Sequence, residues 1–192
     1  MTAIDVLSTL RITLALVIAG ASTLFFPPQV AGAVLFAFLL GVATDVAGVR
    51  RTEGRMTPRG RVLDSLADKT LVYAVLFPLA RSGFPPLFLA LLLMARDGAA
   101  LASQVVAARR GQVLRVSGIG QLKTAILYLS CAALLTLTWL QSATGPLKVD
   151  PGDLGTILPF LLGSQLGIVV AFLLSLDTVV GYITAVQSRT AA

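Results

Sequence analysis

The chain has 192 residues, 56% of them hydrophobic and 12% charged, when about 25% charged is usual for a globular protein. That balance excludes an ordinary soluble domain. The net charge of +6 has no soluble basic face to sit on, which excludes a nucleic-acid binder and leaves the charge to loops that meet anionic lipid. The lack of His excludes His-based metal sites and Ser-His-Asp catalysis, and a lone Cys131 excludes a disulfide framework.

Several apolar runs approach the ~20 residues needed to cross a bilayer. They predict an all-α, polytopic membrane protein of six transmembrane helices, forming one domain over 1–192, since no polar linker separates two apolar blocks. No cleavable signal peptide is expected, because the first run lacks a basic start and a small-residue exit. That first segment covers roughly 8–25. Arg11 near its start is expected to snorkel to the interface, and Phe25-Phe26-Pro27-Pro28 to close the segment. The second segment runs from about 30 to 50 and carries Asp45. An Arg-rich loop follows, with Arg50, Arg51, Glu53, Arg55, Arg59 and Arg61. The third segment, about 61–80, is followed by a short turn at Arg81-Ser82-Gly83-Phe84-Pro85-Pro86.

The fourth segment, roughly 87–108, has Arg96-Asp97 in its middle. A second basic loop holds Arg109, Arg110 and Arg115 and continues as Ser117-Gly118-Ile119-Gly120-Gln121-Leu122-Lys123-Thr124. The fifth segment runs to about 141, with Trp139 as an interfacial anchor and Cys131 facing lipid or packing. After a polar loop at 142–154 comes a sixth segment, about 155–186, where Asp177 reads as the buried partner of a Lys or Arg. The loop at 50–61 has five Arg and the 109–123 stretch three Arg and a Lys; the alternate loops have none at 26–29, Arg81 alone, and Lys148 offset by two Asp. The positive-inside rule therefore places both termini and the basic loops in the cytoplasm, with Asp45, Asp64, Asp68 and Lys123 near that surface.

Chemistry concentrates in Gly60-Arg61-Val62-Leu63-Asp64-Ser65-Leu66-Ala67-Asp68-Lys69. Gly60, Asp64 and Asp68 stand at i, i+4 and i+8, on one helix face. Charge inside a bilayer costs at least ~3 kcal/mol on insertion scales, so it is kept for function or pairing. Two carboxylates one turn apart repel unless a cation lies between them, and oxygen donors in this arrangement suit Mg²⁺ or Mn²⁺.

This stretch resembles the second half of the signature of the CDP-alcohol phosphotransferases, membrane enzymes of phospholipid head-group synthesis. Their pattern is Asp-x-x-Asp-Gly-x-x-Ala-Arg, about eight residues, then Gly-x-x-x-Asp-x-x-x-Asp. Gly60, Asp64, Asp68 and Lys69 fit the second half without a gap. The resemblance spans roughly 8–125. It implies transfer of a phosphatidyl-type group from a CDP-activated lipid such as CDP-diacylglycerol to an alcohol, plain or phosphorylated, with release of CMP. It further implies paired Mg²⁺ or Mn²⁺ ions and a homodimer, and the loop charges put such an active site on the cytoplasmic side. By the same resemblance Asp45, Asp64 and Asp68 are metal ligands and Asp68 is also the general base. Gly48, Arg51, Thr57 and Gly60 fall at nucleotide- and phosphate-contacting positions. Arg115, Ser117 and Lys123, the last within a Gly-Lys-x-Lys-Thr-like run, would form an anion pocket for the acceptor; the alternative is a basic loop that meets lipid head groups, which suits Arg115 better than Lys123.

The first half of the signature departs from the pattern. Counting back from Arg51 puts Val46 and Ala43 at the two Asp positions, and neither binds a metal. Taking Thr44-Asp45 as the first Asp with its hydroxyl neighbour makes Gly48 the signature Gly and leaves the second Asp missing. Three acids thus remain of four. That keeps a second interpretation open, a relative that binds nucleotide or lipid with little or no turnover. A third is a small transporter or scaffold with charges lining an ion path. Arg96-Asp97 reads equally as a family-like pair and as an internal ion pair.

Overall fold

A computed structural model describes residues 3–24, 28–52, 57–81, 85–110, 118–144, 158–159, 161–174 and 176. All regular structure among them is helical: α1 (Ala3–Leu24), α2 (Pro28–Thr52), α3 (Pro58–Arg81), α4 (Leu87–Arg109) and α5 (Gly118–Thr144). A sixth helical stretch, α6, covers 161–174.

Pro28 begins α2 rather than ending the previous segment, and Pro58 begins α3. Both exploit the first helical position, where a missing N–H costs nothing and the fixed φ is already helical. Thr57 caps α3: the Gly60 N–H donates to its Oγ1 at 3.1 Å and the Arg61 N–H to its carbonyl at 3.1 Å. Helix α5 starts earlier than expected, so Gly118 to Thr124, read as part of a basic loop, is its first turns, and Lys123 rides on a helix.

The buried residues trace the inner face of each helix. On α1 they are Ser8, Arg11, Ala15 and Ile18; on α2, Ala31, Val34, Phe38 and Gly41. Steps of three and four make one stripe. Helix α3 is the hub: it packs most extensively against α1, then α4, and also touches α5 and α2, while α2 leans mainly on α5. Its Leu71, Val75, Leu76 and Leu79 fill the centre of the core, and Cys131 of α5 packs into that core. Gly41 lets α2 approach α3 closely, since a Cβ there would lie 2.6 Å from a Leu71 methyl. That contact is one helical turn from Asp45 and brings its helix against the carboxylates of α3.

The outward surface is apolar, with Leu16 69%, Phe36 71% and Leu129 73% exposed. Water is a poor solvent for such a surface. Two described helical runs, Leu87–Arg109 and Gly120–Leu140, are long and apolar enough to cross a membrane; Val6–Ala21, Val30–Val46 and Leu161–Leu174 are shorter apolar runs.

Candidate functional site

Asp45 comes from α2, and Asp64 and Asp68 from α3. The three converge, with candidate ligand atoms all within 4.8 Å of one another. The expected spacing along α3 therefore does bring two carboxylates to one face, and the third meets them from the neighbouring helix.

Arg11 is the residue that sequence reasoning misplaced. It does not snorkel. It is 1% exposed and points into the acidic cluster. Its Nη1 donates to Asp45 Oδ1 at 2.9 Å and to Asp68 Oδ1, and its Nη2 to Asp64 Oδ1 at 2.5 Å. The Ser8 hydroxyl, fully buried one turn earlier, donates to Asp64 Oδ1 at 3.3 Å. The reason is energetic. Three carboxylates side by side in a low-dielectric bundle repel strongly, and a guanidinium with its forked donors relieves that repulsion better than an interfacial position would. The missed signal lay in the stripe: Ser8 and Arg11 share a face with Ala15 and Ile18, which are core residues.

On the other side of α3 lies a second charged group. Asp97 of α4 accepts from Lys123 Nζ at 2.8 Å, from Tyr73 Oη at 2.9 Å, and from Arg96 beside it. Arg96, Asp97 and Lys123 are all buried. The Arg96-Asp97 pair is thus an internal ion pair tied into α3 and α5.

A cavity of about 140 Å³ joins the two groups. Asp64 and Asp68 form one wall. Arg61, Lys69, Arg96 and Lys123 bring cations to it, and Gln104 and Thr124 bring neutral polar groups. The Gln104 side-chain oxygen is buried there and accepts no hydrogen bond, and Arg61 Nε is buried with no acceptor. Lys69 is steadied by Ser65, whose hydroxyl lies 2.5 Å from Nζ. Arg61, Lys69, Arg96 and Gln104 were not singled out as site residues from sequence. They were legible only as loop, signature-adjacent or mid-helix positions. A second, apolar groove between α1, α3 and α4 has Leu16, Phe77 and Met94 in its walls and shares Lys69 and Asp97 with the cavity.

Of the remaining expected residues, Gly60 is buried and Thr57 caps α3. Gly48 and Arg51 lie in the last two turns of α2, where side chains fall outside the description. Arg115, Ser117, Glu53 and Asp177 lie outside the described residues.

The arrangement defines an all-helical protein with an acidic cluster facing a basic cavity, a combination suited to substrates carrying phosphate. The model of one family, described as CDP-alcohol phosphatidyltransferase, matches residues 1–149, and the chain belongs to that family. It is also similar to a CDP-diacylglycerol–glycerol-3-phosphate 3-phosphatidyltransferase of Bacillus subtilis (strain 168), 33% identical over 109 residues. The matched stretch is 56% of this chain and 55% of that relative, so the chain spans about half the relative's length. Family membership sets aside the interpretation as an unrelated transporter or scaffold.

Proposed function

We propose that the chain transfers a phosphatidyl-type group from a CDP-activated lipid to an alcohol, releasing CMP, in phospholipid biosynthesis. The convergence of Asp45, Asp64 and Asp68 beside a cavity lined by Lys and Arg carries this reading. The chain would act as a single domain over 1–192, with six membrane crossings, both termini and the site at the cytoplasmic side, and as a homodimer. The apolar outer surface supports the crossings. The groove beside Leu16, Phe77 and Met94 supports sideways entry of a lipid tail, because it reaches the polar cavity at Lys69 and Asp97.

Hard carboxylate oxygens from Asp45, Asp64 and Asp68 fit a divalent cation such as Mg²⁺ or Mn²⁺. When bound, such an ion would neutralise the diphosphate of the donor. The chain's own residues do the rest. Asp68 takes the proton from the acceptor hydroxyl as its oxygen attacks phosphorus. The new O–P bond forms, the P–O bond to CMP breaks, and CMP leaves with the electron pair. Gly48, Arg51, Thr57 and Gly60 hold the nucleotide end. Lys123, with Arg115 and Ser117, holds a phosphorylated acceptor; the cavity cations Arg61, Lys69 and Arg96 extend that anion-binding wall. The name of the Bacillus subtilis relative makes glycerol 3-phosphate the first acceptor to try.

A second reading, a relative that binds CDP-lipid without turnover, is favoured by one observation: Arg11 already bonds all three carboxylates. One experiment separates the two. Purified protein is given labelled CDP-diacylglycerol, Mn²⁺ and a panel of alcohols, and CMP release is followed. Release that stops with EDTA and depends on the acceptor supports the transferase. CDP-lipid binding without CMP release supports the second reading.

A further inference from the structure

The acidic cluster carries its own cation. Arg11 is enclosed, bonded to one oxygen of each carboxylate, and its Nε is buried with no acceptor. It cannot exchange these bonds for water without withdrawing from the core. A guanidinium stays protonated at any accessible pH, so its charge is permanent. The three bonds all use Oδ1, which leaves Oδ2 of each Asp outside them.

The charge balance follows. Carboxylates give up their protons when they ligate a metal, so in the ion-bound site three carboxylates and one guanidinium sum to −2, which a single divalent ion neutralises. A second ion would leave an uncompensated surplus of positive charge inside the bundle, where such charge is costly. The sequence agrees, because the carboxylate expected as the second Asp of the signature is missing, and Val46 and Ala43 stand where the ungapped count places the pair. We propose that Arg11 takes the place of one of the paired cations, so that each chain binds a single divalent ion at Asp45, Asp64 and Asp68. This rests on the transferase reading of the site. It gives Arg11 a positioning role: it keeps the three carboxylates gathered when no ion is bound.

The test is an ion count on the full chain in lipid nanodiscs. Mn²⁺ is titrated while free Mn²⁺ is read by electron paramagnetic resonance, and the saturated sample is frozen for its spectrum. One Mn²⁺ per chain with the six-line signal of an isolated ion is expected. Two Mn²⁺ per chain, or a spin-coupled spectrum, overturns the proposal and leaves the transferase reading standing. No Mn²⁺ at millimolar concentration overturns both the proposal and the metal dependence of that reading. A variant sharpens the result. Arg11→Met, checked for native helicity by circular dichroism, is expected to bind Mn²⁺ more tightly, on the order of tenfold, or to admit a second ion, because a cation a few ångströms away has gone. Arg11→Lys, which keeps the charge, is expected to stay at one ion. Unchanged count and affinity in folded Arg11→Met overturns the proposal. The wild-type count decides it whether or not Arg11→Met folds.

Discussion

The two faces of α3 hold charge in opposite balance. Toward α1 and α2, Asp64 and Asp68 join Asp45 around one Arg. Toward α4 and α5, a single Asp97 is shared by Arg96, Lys123 and the Tyr73 hydroxyl. The first face has a surplus of negative charge and calls for a cation. The second has a surplus of positive charge and calls for an anion. A substrate pair in which both partners carry phosphate needs both, and the cavity touches both walls. Charge around α3 is thus segregated by helix face, acidic toward α1 and α2 and basic toward α4 and α5.

The sharpest way to break this comparison is on the acidic face. Asp68→Asn keeps the shape and the hydrogen-bonding reach but removes the base. It is expected to cut CMP release by roughly 10²–10⁴-fold. CDP-lipid binding should stay measurable, because the cavity cations are untouched. Turnover at the wild-type rate would remove Asp68 from the chemistry and leave the acidic face with ion binding alone.

On the basic face the largest expected effect is on stability. Asp97→Asn leaves the buried charges of Arg96 and Lys123 without their carboxylate, and breaking a buried pair this way costs about 3–5 kcal/mol. The midpoint of thermal unfolding in detergent should fall clearly below wild type. Adding Lys123→Met to that variant should recover part of the loss. A wild-type midpoint in Asp97→Asn would show that the network does not hold α3, α4 and α5 together. Lys123→Met alone tests the anion role: the KM for a phosphorylated acceptor should rise about tenfold or more, the worth of a charged hydrogen bond, with the KM for CDP-lipid unchanged.

The difference in how these faces were read from sequence is instructive. Asp64 and Asp68 are neighbours on one helix, so their i, i+4 spacing reveals their shared face. Asp45 could be added only through the resemblance to a family signature. Arg11 is separated from its partners by 34, 53 and 57 residues, and no local pattern carries such a contact. Its position near the start of an apolar run suggested an interfacial side chain, and only the neighbouring helices make the interior the better place. The Lys123 contact failed for a related reason. Gly118 and Gly120 looked like loop residues, but tertiary packing carries α5 through them, which turns Lys123 inward onto Asp97. Among the described residues, where the helices run was legible because a long apolar run is a local feature of the sequence. Pairings between charges on different helices were not.

Thr57 offers the smallest effect and the finest discrimination. It stands at the start of α3, just ahead of both faces, and has two proposed duties. Its hydroxyl caps the helix by accepting from Gly60 N–H at 3.1 Å, and the family pattern gives it a nucleotide contact. Thr57→Ala removes both, and loss of the cap alone should lower stability by about 1 kcal/mol. Thr57→Asp restores a cap but places a negative charge where a diphosphate would approach. If Thr57 only caps, Thr57→Asp should match wild type in both unfolding midpoint and KM for CDP-lipid. If it also touches the nucleotide, the midpoint should recover while the KM for CDP-lipid rises above that of Thr57→Ala. We expect the second pattern, because the turn that Thr57 caps leads directly into Arg61, Asp64 and Asp68 on the cavity wall.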